Sequence, residues 1–436
     1  MRRIPLFVIA FLALALTPLP ALAASQASPP AASPVVVPAT PVGDQLAWLL
    51  PNLRGGAEDL SIEEFSGHVA PEFLEVVPAE QMLSQIWFFA AGLGDFTFAG
   101  FTRTPLDTQA NALLIDSGGT PWVVAISVEA EAPYLITGLN VGPVPAPAGV
   151  ELTPAALPDG TPVDDPERLE GFFDVGDGRQ IYLSCVGTGS PIVILESGLG
   201  DPAALWFGVE SAVAQTTRVC SYDRPGTAGG ASDPAPGPRT GEDVATDLHA
   251  LLQAADIPGP YILVGHSIGG IFARQYAHAY PDEVAGLVFV DSSHEDQQVR
   301  LMEILTPELQ EMYEQLIAMS PNPENIDLEG SLDLLRATRE SGSFPEVPLV
   351  VVTAGYRGDP AAFPPGWSMD EEKALWLELQ ADIASLAPDG RHLVAEDSSH
   401  YVHQSNPDIV VDAIEQVIAG ARDPDTWATP TASPAA

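Results

Sequence analysis

A serine lies in the pentapeptide "GHSIG", which covers Gly265 to Gly269. The preceding letters, "YILV", predict a strand, and the following "IFARQYA" predicts an amphipathic helix. A serine on a sharp turn between a strand and a helix presents its hydroxyl above a parallel sheet, where it can attack a carbonyl carbon. Both glycines would leave room for such a turn. The same letters also fit a glycine-rich loop with a capping serine, so a nucleophile requires a histidine and a carboxylate elsewhere in the chain.

The N-terminal residues indicate where this chemistry would take place. Residues 1–23 carry two arginines, a short apolar run and then small residues, which is the order of a secretory signal peptide. We expect cleavage near Ala23 and a secreted or extracytoplasmic protein. The apolar run is shorter than the ~20 residues that span a bilayer, so no stable membrane anchor is expected.

The charge of the chain restricts its partners. The net charge is −42, and Lys373 is the only lysine among the 436 residues. Nucleic acids are bound through clustered lysines and arginines, so no nucleic-acid partner is expected. Anionic membranes are disfavoured for the same reason, and such acidity is typical of a well-solvated surface.

The N-terminal part of the chain predicts a small α+β domain between flexible segments. Residues 24–43 and 422–436 are rich in proline, alanine and serine, which predicts flexibility. Residues 44–148 begin with helical patterns, including the capping-box spacing of Ser61 and Glu64, and continue as alternating runs that predict an antiparallel meander. In "FLEVVPAEQML" and "YLITGL" this domain resembles the cystatin-like (NTF2-like) domain that precedes some secreted serine hydrolases of the penicillin-binding and β-lactamase kind. It has no chemical motif of its own.

The larger part of the chain predicts a parallel sheet. Residues 149–168 are proline-rich and predict an interdomain linker. In residues 169–421, eight apolar runs alternate mostly with helical patterns, which is typical of a sheet covered on both faces. Residues 295–346, between the sixth and seventh runs, contain an amphipathic helix pair. Its apolar stripe predicts either core packing or a lid over a site, and it consists of Met302, Leu305, Leu309, Met312 and Leu316.

Residues 171–420 resemble the α/β-hydrolase superfamily of lipases, esterases and aminopeptidases. The resemblance rests on "GHSIGG", "SYDRPG", "LVFVDSSHEDQ" and "AEDSSHYVHQSNPDIVVDAI", and it covers more than half of the chain. It implies an α/β fold with a mostly parallel eight-stranded sheet and a helical lid. It also implies Ser267 as the nucleophile and His400, after the last strand, as the base, with His403 as a rival.

The resemblance further implies an oxyanion hole, because a tetrahedral intermediate needs preformed donors. Ile268 N–H is one implied donor. The other is Leu199 N–H in "ESGLGD", where Ser197 replaces the usual histidine. His266 is expected to pack beneath the serine, and His294 could line the site.

Two aspartates compete to orient the histidine. Asp291 ends the sixth strand, as the acid of some lipases of this fold does, whereas Asp359 follows the seventh strand, where most of the superfamily keeps its acid. We favour Asp291 because "GYRGDPAAFPPGW" looks too loose to hold a carboxylate in place. The usual strand order of the family also makes Cys185 and Cys220 neighbours, which implies a disulfide in an exported protein.

These expectations favour a serine hydrolase that cleaves a small-molecule carboxylic ester with an apolar part and needs no metal or organic cofactor. The alternative enzyme is an amidase or a proline-iminopeptidase-like aminopeptidase, which needs an anchor for the substrate amine, and Glu196 and Glu295 are the candidates for it. The alternative from another class is a non-catalytic binding protein with a hydrolase-like domain. Because every proposed catalytic residue lies beyond the linker, a protein that starts near Pro166 is expected to keep its activity.

Overall fold

The structure is a computed structural model. The predicted signal peptide, Asp359 and most of the predicted C-terminal tail lie outside the residues that it describes. The described ranges are 36–54, 60–176, 178–227, 229–318, 320, 322–342, 344–356 and 363–427.

The N-terminal domain consists of helices followed by an antiparallel sheet, so the α+β expectation matches the observed elements. Ser61 caps the second helix, because its side chain accepts a hydrogen bond from Glu64 N–H. The helices are α1 (Pro41–Leu53), α2 (Ile62–Gly67), α3 (Pro71–Val76) and α4 (Ala79–Leu93). The strands pair in the order β1 (Phe96–Phe101), β2 (Gln109–Asp116), β3 (Pro121–Val128) and β4 (Ile136–Pro143).

Both faces of this sheet are buried. Alternate side chains of β2 and β3 point to opposite faces. One set packs beneath the four helices and includes Leu114 and Val124. The other set includes Leu113 and Val123 and packs against the large domain at residues 204–207.

The predicted linker is a packed segment. Residues 149–168 contain no long helix or strand, as their prolines predict, yet Ala155 and Ala156 are buried. Phe101 N–H donates to the carbonyl of Ala156 at 2.8 Å, and Val163 N–H donates to the carbonyl of Ala155 at 2.7 Å. The segment therefore lies against the edge of the N-terminal sheet.

The large domain confirms the predicted α/β fold. In the described residues, eight strands form one sheet in the order β12-β11-β10-β9-β7-β8-β6-β5. The strand β6 pairs antiparallel with both of its neighbours, β5 and β8, and all the other neighbouring strands pair parallel. The strands are β5 (Leu169–Asp174), β6 (Gln180–Val186), β7 (Ile192–Glu196), β8 (Val219–Tyr222), β9 (Tyr261–His266), β10 (Val284–Val290), β11 (Leu349–Ala354) and β12 (Arg391–Ala395).

Helices cover both faces of the large sheet. Five helices are involved: α5 (Phe207–Val213), α6 (Gly241–Ala254), α7 (Gly269–Ala279), α11 (Met369–Ala384) and α13 (Pro407–Arg422). One face of the sheet packs against α6, α7 and α11, and the other face packs against α5 and α13. Central strands buried on both faces are near-continuous apolar runs, which explains why β9 to β11 are readable in the sequence.

Three helices form a cap in the predicted lid region: α8 (Gln297–Ile304), α9 (Pro307–Ala318) and α10 (Leu328–Ser341). Leu305 and Leu309 of the predicted stripe are buried together with Leu375 and Leu379 of α11. The stripe therefore packs the cap onto the sheet domain.

The C-terminal end differs from the predicted flexible tail over its first residues. After the short helix α12 (Val402–Ser405) and α13, residues Pro424–Trp427 form the helical turn α14. The guanidinium of Arg391 lies 3.9 Å from the ring centroid of Trp427, which holds this turn against the sheet domain. None of the helices in the described ranges is long and apolar enough to cross a membrane.

The structure joins Cys185 to Cys220 by a disulfide. The two residues face each other in the antiparallel pairing of β6 with β8. These are the second and fourth strands of the large domain, as the implied strand order requires.

Candidate active site

Ser267 occupies a strained turn between β9 and α7. Its φ is 54°, a left-handed conformation that is uncommon for a residue other than glycine. Its N–H donates to the carbonyl of Val290 at 3.2 Å, and its carbonyl accepts from Ser293 N–H at 2.9 Å. The end of β10 therefore fixes the turn that carries the serine.

Two glycines allow this turn to form, as the sequence predicts. A Cβ on Gly265 would lie 2.6 Å from the carbonyl oxygen of Gly269. A Cβ on Gly269 would lie 2.5 Å from the carbonyl oxygen of Glu196. The lack of a side chain at Gly265 lets the end of β9 lie against the start of α7, and the lack of one at Gly269 lets α7 approach the end of β7.

His400 pairs with Asp291 at the same edge of the sheet. His400 Nδ1 lies 2.7 Å from Asp291 Oδ2, and because the carboxylate can only accept, Nδ1 is the donor. This bond leaves His400 Nε2 as the basic nitrogen. The imidazole is about one quarter exposed, whereas the carboxylate is fully buried.

The other oxygen of the Asp291 carboxylate is also held. Oδ1 accepts from Ala354 N–H at 2.9 Å and from the Trp376 indole N–H at 2.6 Å. The backbone N–H of Asp291 donates to the carbonyl of Val352 at 2.7 Å. The carboxylate is therefore fixed by β11 and α11, and Trp376 is a partner that the sequence analysis missed.

His266 links the serine turn to the histidine segment. Its Nε2 donates to the carbonyl of His400 at 3.0 Å, and the two ring centroids are 4.7 Å apart. Burial lowers the pKa of His266 well below its usual value, so the ring is neutral. His266 therefore packs as a neutral ring beside the serine turn. The structure brings Ser267, His400 and Asp291 to one edge of the sheet.

The remaining histidines of the region are buried in structural contacts. His403 stacks on Trp206 with ring centroids 4.3 Å apart, and burial followed by the charge of His400 lowers the pKa of His403 to about 3. His294 Nε2 donates to Asp382 Oδ2 at 2.9 Å. Neither ring has the partial exposure that the imidazole of His400 has.

The two predicted oxyanion donors lie on facing segments. Ile268 N–H stands at the start of α7, where helix amides lack internal acceptors. Leu199 belongs to residues 197–201, which we call the oxyanion loop, and its side chain is partly exposed. Within the described part of the chain, neither amide donates to a protein acceptor, so both are free to bind an anionic oxygen.

A buried arginine supports the oxyanion loop. The guanidinium of Arg224 donates to the carbonyls of Ser197 and Gly198, at 2.8 and 2.5 Å. It also forms ion pairs of 2.6 Å with Glu196 and with Glu324, and Glu324 in turn accepts from Gly200 N–H. These bonds hold the loop where Ser197 replaces the usual histidine. The quoted motif "SYDRPG" contained the arginine, but the sequence analysis assigned it no role.

The two glutamates proposed as amine anchors are already paired. Glu196 accepts from Arg224 and Tyr222. Glu295 accepts from Arg274 at 2.7 and 3.0 Å and from Arg339 at 2.9 Å. Burial alone would raise the pKa of Glu295, but the hydrogen bond and charge of Arg274 outweigh burial, so the pKa lies below its usual value. Both carboxylates are almost fully buried, so the structure argues against the anchor role. The described residues include no group of three or more His, Cys, Asp or Glu side chains placed to hold a metal ion.

Comparisons with known proteins agree with this architecture. Residues 191–318 match the family model of the alpha/beta hydrolase fold. The chain is 34% identical over 172 residues to "Probable transporter efuK" of Hormonema carpetanum, a match that covers 38% of this chain and 24% of that protein. It is 25% identical over 235 residues to YqjL of Bacillus subtilis, covering 54% of this chain and 86% of that protein.

Among solved structures, a thermophilic esterase from Thermogutta terrifontis aligns with a TM-score of 0.40 and 23% identity, covering 58% of this chain and 98% of that chain. The chain thus spans about a quarter of the Hormonema protein and most of the Bacillus protein. The family-model match and the strand order together show that the large domain has the α/β-hydrolase fold.

Proposed function

We propose that this hydrolase is an exported carboxylic ester hydrolase that works through a Ser267–His400–Asp291 triad. The observation that carries the proposal is the 2.7 Å bond from His400 Nδ1 to Asp291 Oδ2. It fixes the tautomer in which Nε2 can take a proton, at the edge of the sheet where the strained turn presents Ser267.

The reaction proceeds in two halves. Ser267 Oγ attacks the ester carbonyl carbon while His400 Nε2 takes the hydroxyl proton, and Leu199 N–H and Ile268 N–H stabilise the resulting oxyanion. The intermediate collapses, the bond to the alcohol oxygen breaks, and His400 returns the proton to that oxygen. Water then attacks the acyl-enzyme by the same proton transfers, which releases the acid and restores Ser267.

Two observations favour an ester with an apolar part over an aminoacyl amide. The side chain of Leu199 is exposed in the oxyanion loop, where it offers an apolar contact beside the proposed oxyanion donor. In addition, Glu196 and Glu295 are paired with buried arginines and offer no free carboxylate to a substrate amine.

Labelling with a fluorophosphonate tests the nucleophile, because such reagents react with activated serines. We expect an adduct on Ser267 in the folded protein and none in Ser267→Ala. A matched control is Ser293→Ala, next to the site on the segment after β10. Absence of any adduct on Ser267 in folded protein would instead favour the non-catalytic binding protein.

A panel of chromogenic substrates tests the reaction class. Nitrophenyl esters of increasing acyl length should be hydrolysed, and aminoacyl anilides should be cleaved poorly. Preference for the anilides would move the assignment to the amidase or aminopeptidase.

Export is supported by the leader-like residues 1–23 and by the disulfide, since disulfides persist in oxidising compartments. Two free thiols on denatured, unreduced protein from an exporting host would contradict it.

A further inference from the structure

We propose that the N-terminal domain is a positioning element of the active site, which holds the segment that follows the oxyanion loop. We call residues 202–210 the supporting segment; it contains the 3₁₀ turn Ala203–Trp206 and the start of α5. The inference rests on the proposed function, since it concerns the oxyanion hole. The N-terminal domain has no chemical motif of its own, and the inference gives it a role in positioning the site.

An apolar contact joins the two domains at the supporting segment. Ala204, Leu205 and Phe207 are buried against the outward face of the N-terminal sheet, in one cluster with Leu113, Val123, Ala125 and Val144. A hydrophobic face of this kind would be exposed to water in either domain alone. The contact therefore fixes the supporting segment on a rigid sheet.

A buried ion pair also joins the two domains at this contact. Arg103, just after β1, donates to both carboxylate oxygens of Glu210 at 2.9 and 3.2 Å and also to Ser221 Oγ. Both charged side chains are 2% exposed. A planar, two-pronged arginine–carboxylate pair fixes orientation as well as distance, and loss of either partner would leave a buried charge unpaired.

The supporting segment connects directly to the site. Ala203 N–H donates to Asp223 Oδ1 at 2.9 Å, and the next residue, Arg224, holds the carbonyls of the oxyanion loop. A shift of the supporting segment would therefore displace the loop that carries Leu199 N–H. Displacements of about 1 Å at a catalytic group can lower a rate by about 100-fold.

The N-terminal domain also reaches the histidine segment, through its last strand, β4. A Cβ on Gly142, in β4, would lie 3.5 Å from Leu205 Cδ2 and 3.7 Å from Gln404 Nε2. Gln404 lies in α12, just after His400. One strand of the N-terminal domain thus contacts the chain next to both the oxyanion loop and the base. These contacts argue against the expectation that a protein starting near Pro166 keeps its activity.

The test compares full-length variants by kinetics on a nitrophenyl ester. Arg103→Met removes the ion pair, and Arg103→Lys keeps a positive charge. The matched control is Arg300→Met, which removes an exposed ion pair between the cap helix α8 and Glu378 of α11. We expect kcat per folded molecule to fall about 10- to 100-fold in Arg103→Met, with KM changed less than about twofold. Arg103→Lys should recover part of kcat, and Arg300→Met should equal the wild type.

The fluorophosphonate labelling rate of Ser267 provides a second readout, because it reports the oxyanion hole without substrate binding. It should fall in parallel with kcat. A folded Arg103→Met enzyme with wild-type kcat and labelling rate overturns the inference, and so does a loss that only follows the folded fraction measured by circular dichroism. If Arg103→Met does not fold, the milder variants Val123→Ala and Leu113→Ala test the inference by the same two measurements, kcat and the labelling rate of Ser267. A wild-type protein that neither labels nor hydrolyses any ester refutes the proposed function instead.

Discussion

The indole of Trp376 donates its N–H to Asp291 Oδ1 at 2.6 Å, on the carboxylate oxygen that His400 does not use. The indole ring also packs against the apolar cluster between α11 and the cap helices. One side chain therefore connects the packing of the cap to the orientation of the carboxylate proposed to hold the base.

Trp376→Phe tests this connection, because phenylalanine keeps an aromatic ring and loses the donor. A hydrogen bond to a charged group contributes about 1.5–3 kcal/mol, so we expect kcat to fall about 10- to 100-fold while KM changes little. Trp367→Phe is the matched control, since Trp367 packs in the same cluster and donates to Glu372 Oε2 instead. Steady-state kinetics on an ester measure both. Equal rates in the two variants would show that the hydrogen bond to Asp291 has no part in positioning.

Asp291→Asn should lower kcat by about 10⁴ while the fold is retained, because an amide cannot hold the required imidazole tautomer or stabilise the imidazolium. The buried carboxylate accepts from two other groups through Oδ1, and the amide oxygen can keep those bonds. Asp359→Asn should lose little activity. The reverse pattern, with both variants folded, would assign the acid to the segment after β11.

His400→Ala should lower kcat by about a million-fold, as single losses from a working triad can. His403→Ala should affect mainly stability, since His403 is buried against Trp206 and the pKa of about 3 keeps its ring neutral. Kinetics and chemical denaturation separate the two effects. Near-normal turnover in His400→Ala together with an inactive, folded His403→Ala would reverse the assignment of the base.

The serine turn and the acid at the end of β10 could be predicted because both depend on local patterns. A buried strand, a pair of glycines and an amphipathic helix are contiguous in the sequence, and Asp291 directly follows an apolar run. Trp376 and Glu324 could not be assigned in this way. Trp376 is 85 residues from Asp291, and Glu324 is 100 residues from Arg224. These pairings are set by tertiary packing, which the hydrophobic periodicity of the sequence does not reveal.

The domain interface had a signal that the sequence analysis did not use. The runs "ANALLID" and "PWVVAISVEA" are apolar at nearly every position, and a sheet with one solvated face would alternate. Both faces of β2 and β3 are indeed buried. The proline-rich composition of residues 149–168 indicated only the lack of regular structure. It could not reveal that the backbone of Ala155 and Ala156 bonds to Phe101 of β1.

Asp201→Asn should change how stability depends on pH. Asp201 lies at the end of the oxyanion loop, and burial raises its pKa to about 7, against the charges of Arg224 and His400. Between the unfolded value of about 4 and 7, the folded state keeps a proton that the unfolded chain has lost, so the stabilising contribution is complete below pH 4 and disappears as the pH rises through 7. At about 1.4 kcal/mol per pKa unit, up to about 4 kcal/mol is lost across this window.

Asparagine is neutral at every pH, and its oxygen can still accept from the Tyr401 hydroxyl, so Asp201→Asn should lack this loss. Urea denaturation at pH 4, 6 and 8 should therefore show the free energy of unfolding of the variant rising relative to the wild type as the pH increases. Asp412→Asn, at an exposed position on α13, is the control and should follow the wild type at each pH. A constant difference between Asp201→Asn and the wild type from pH 4 to pH 8 would mean that Asp201 ionises normally in the folded protein. The buried end of the oxyanion loop would then tolerate a charge that its surroundings are expected to suppress.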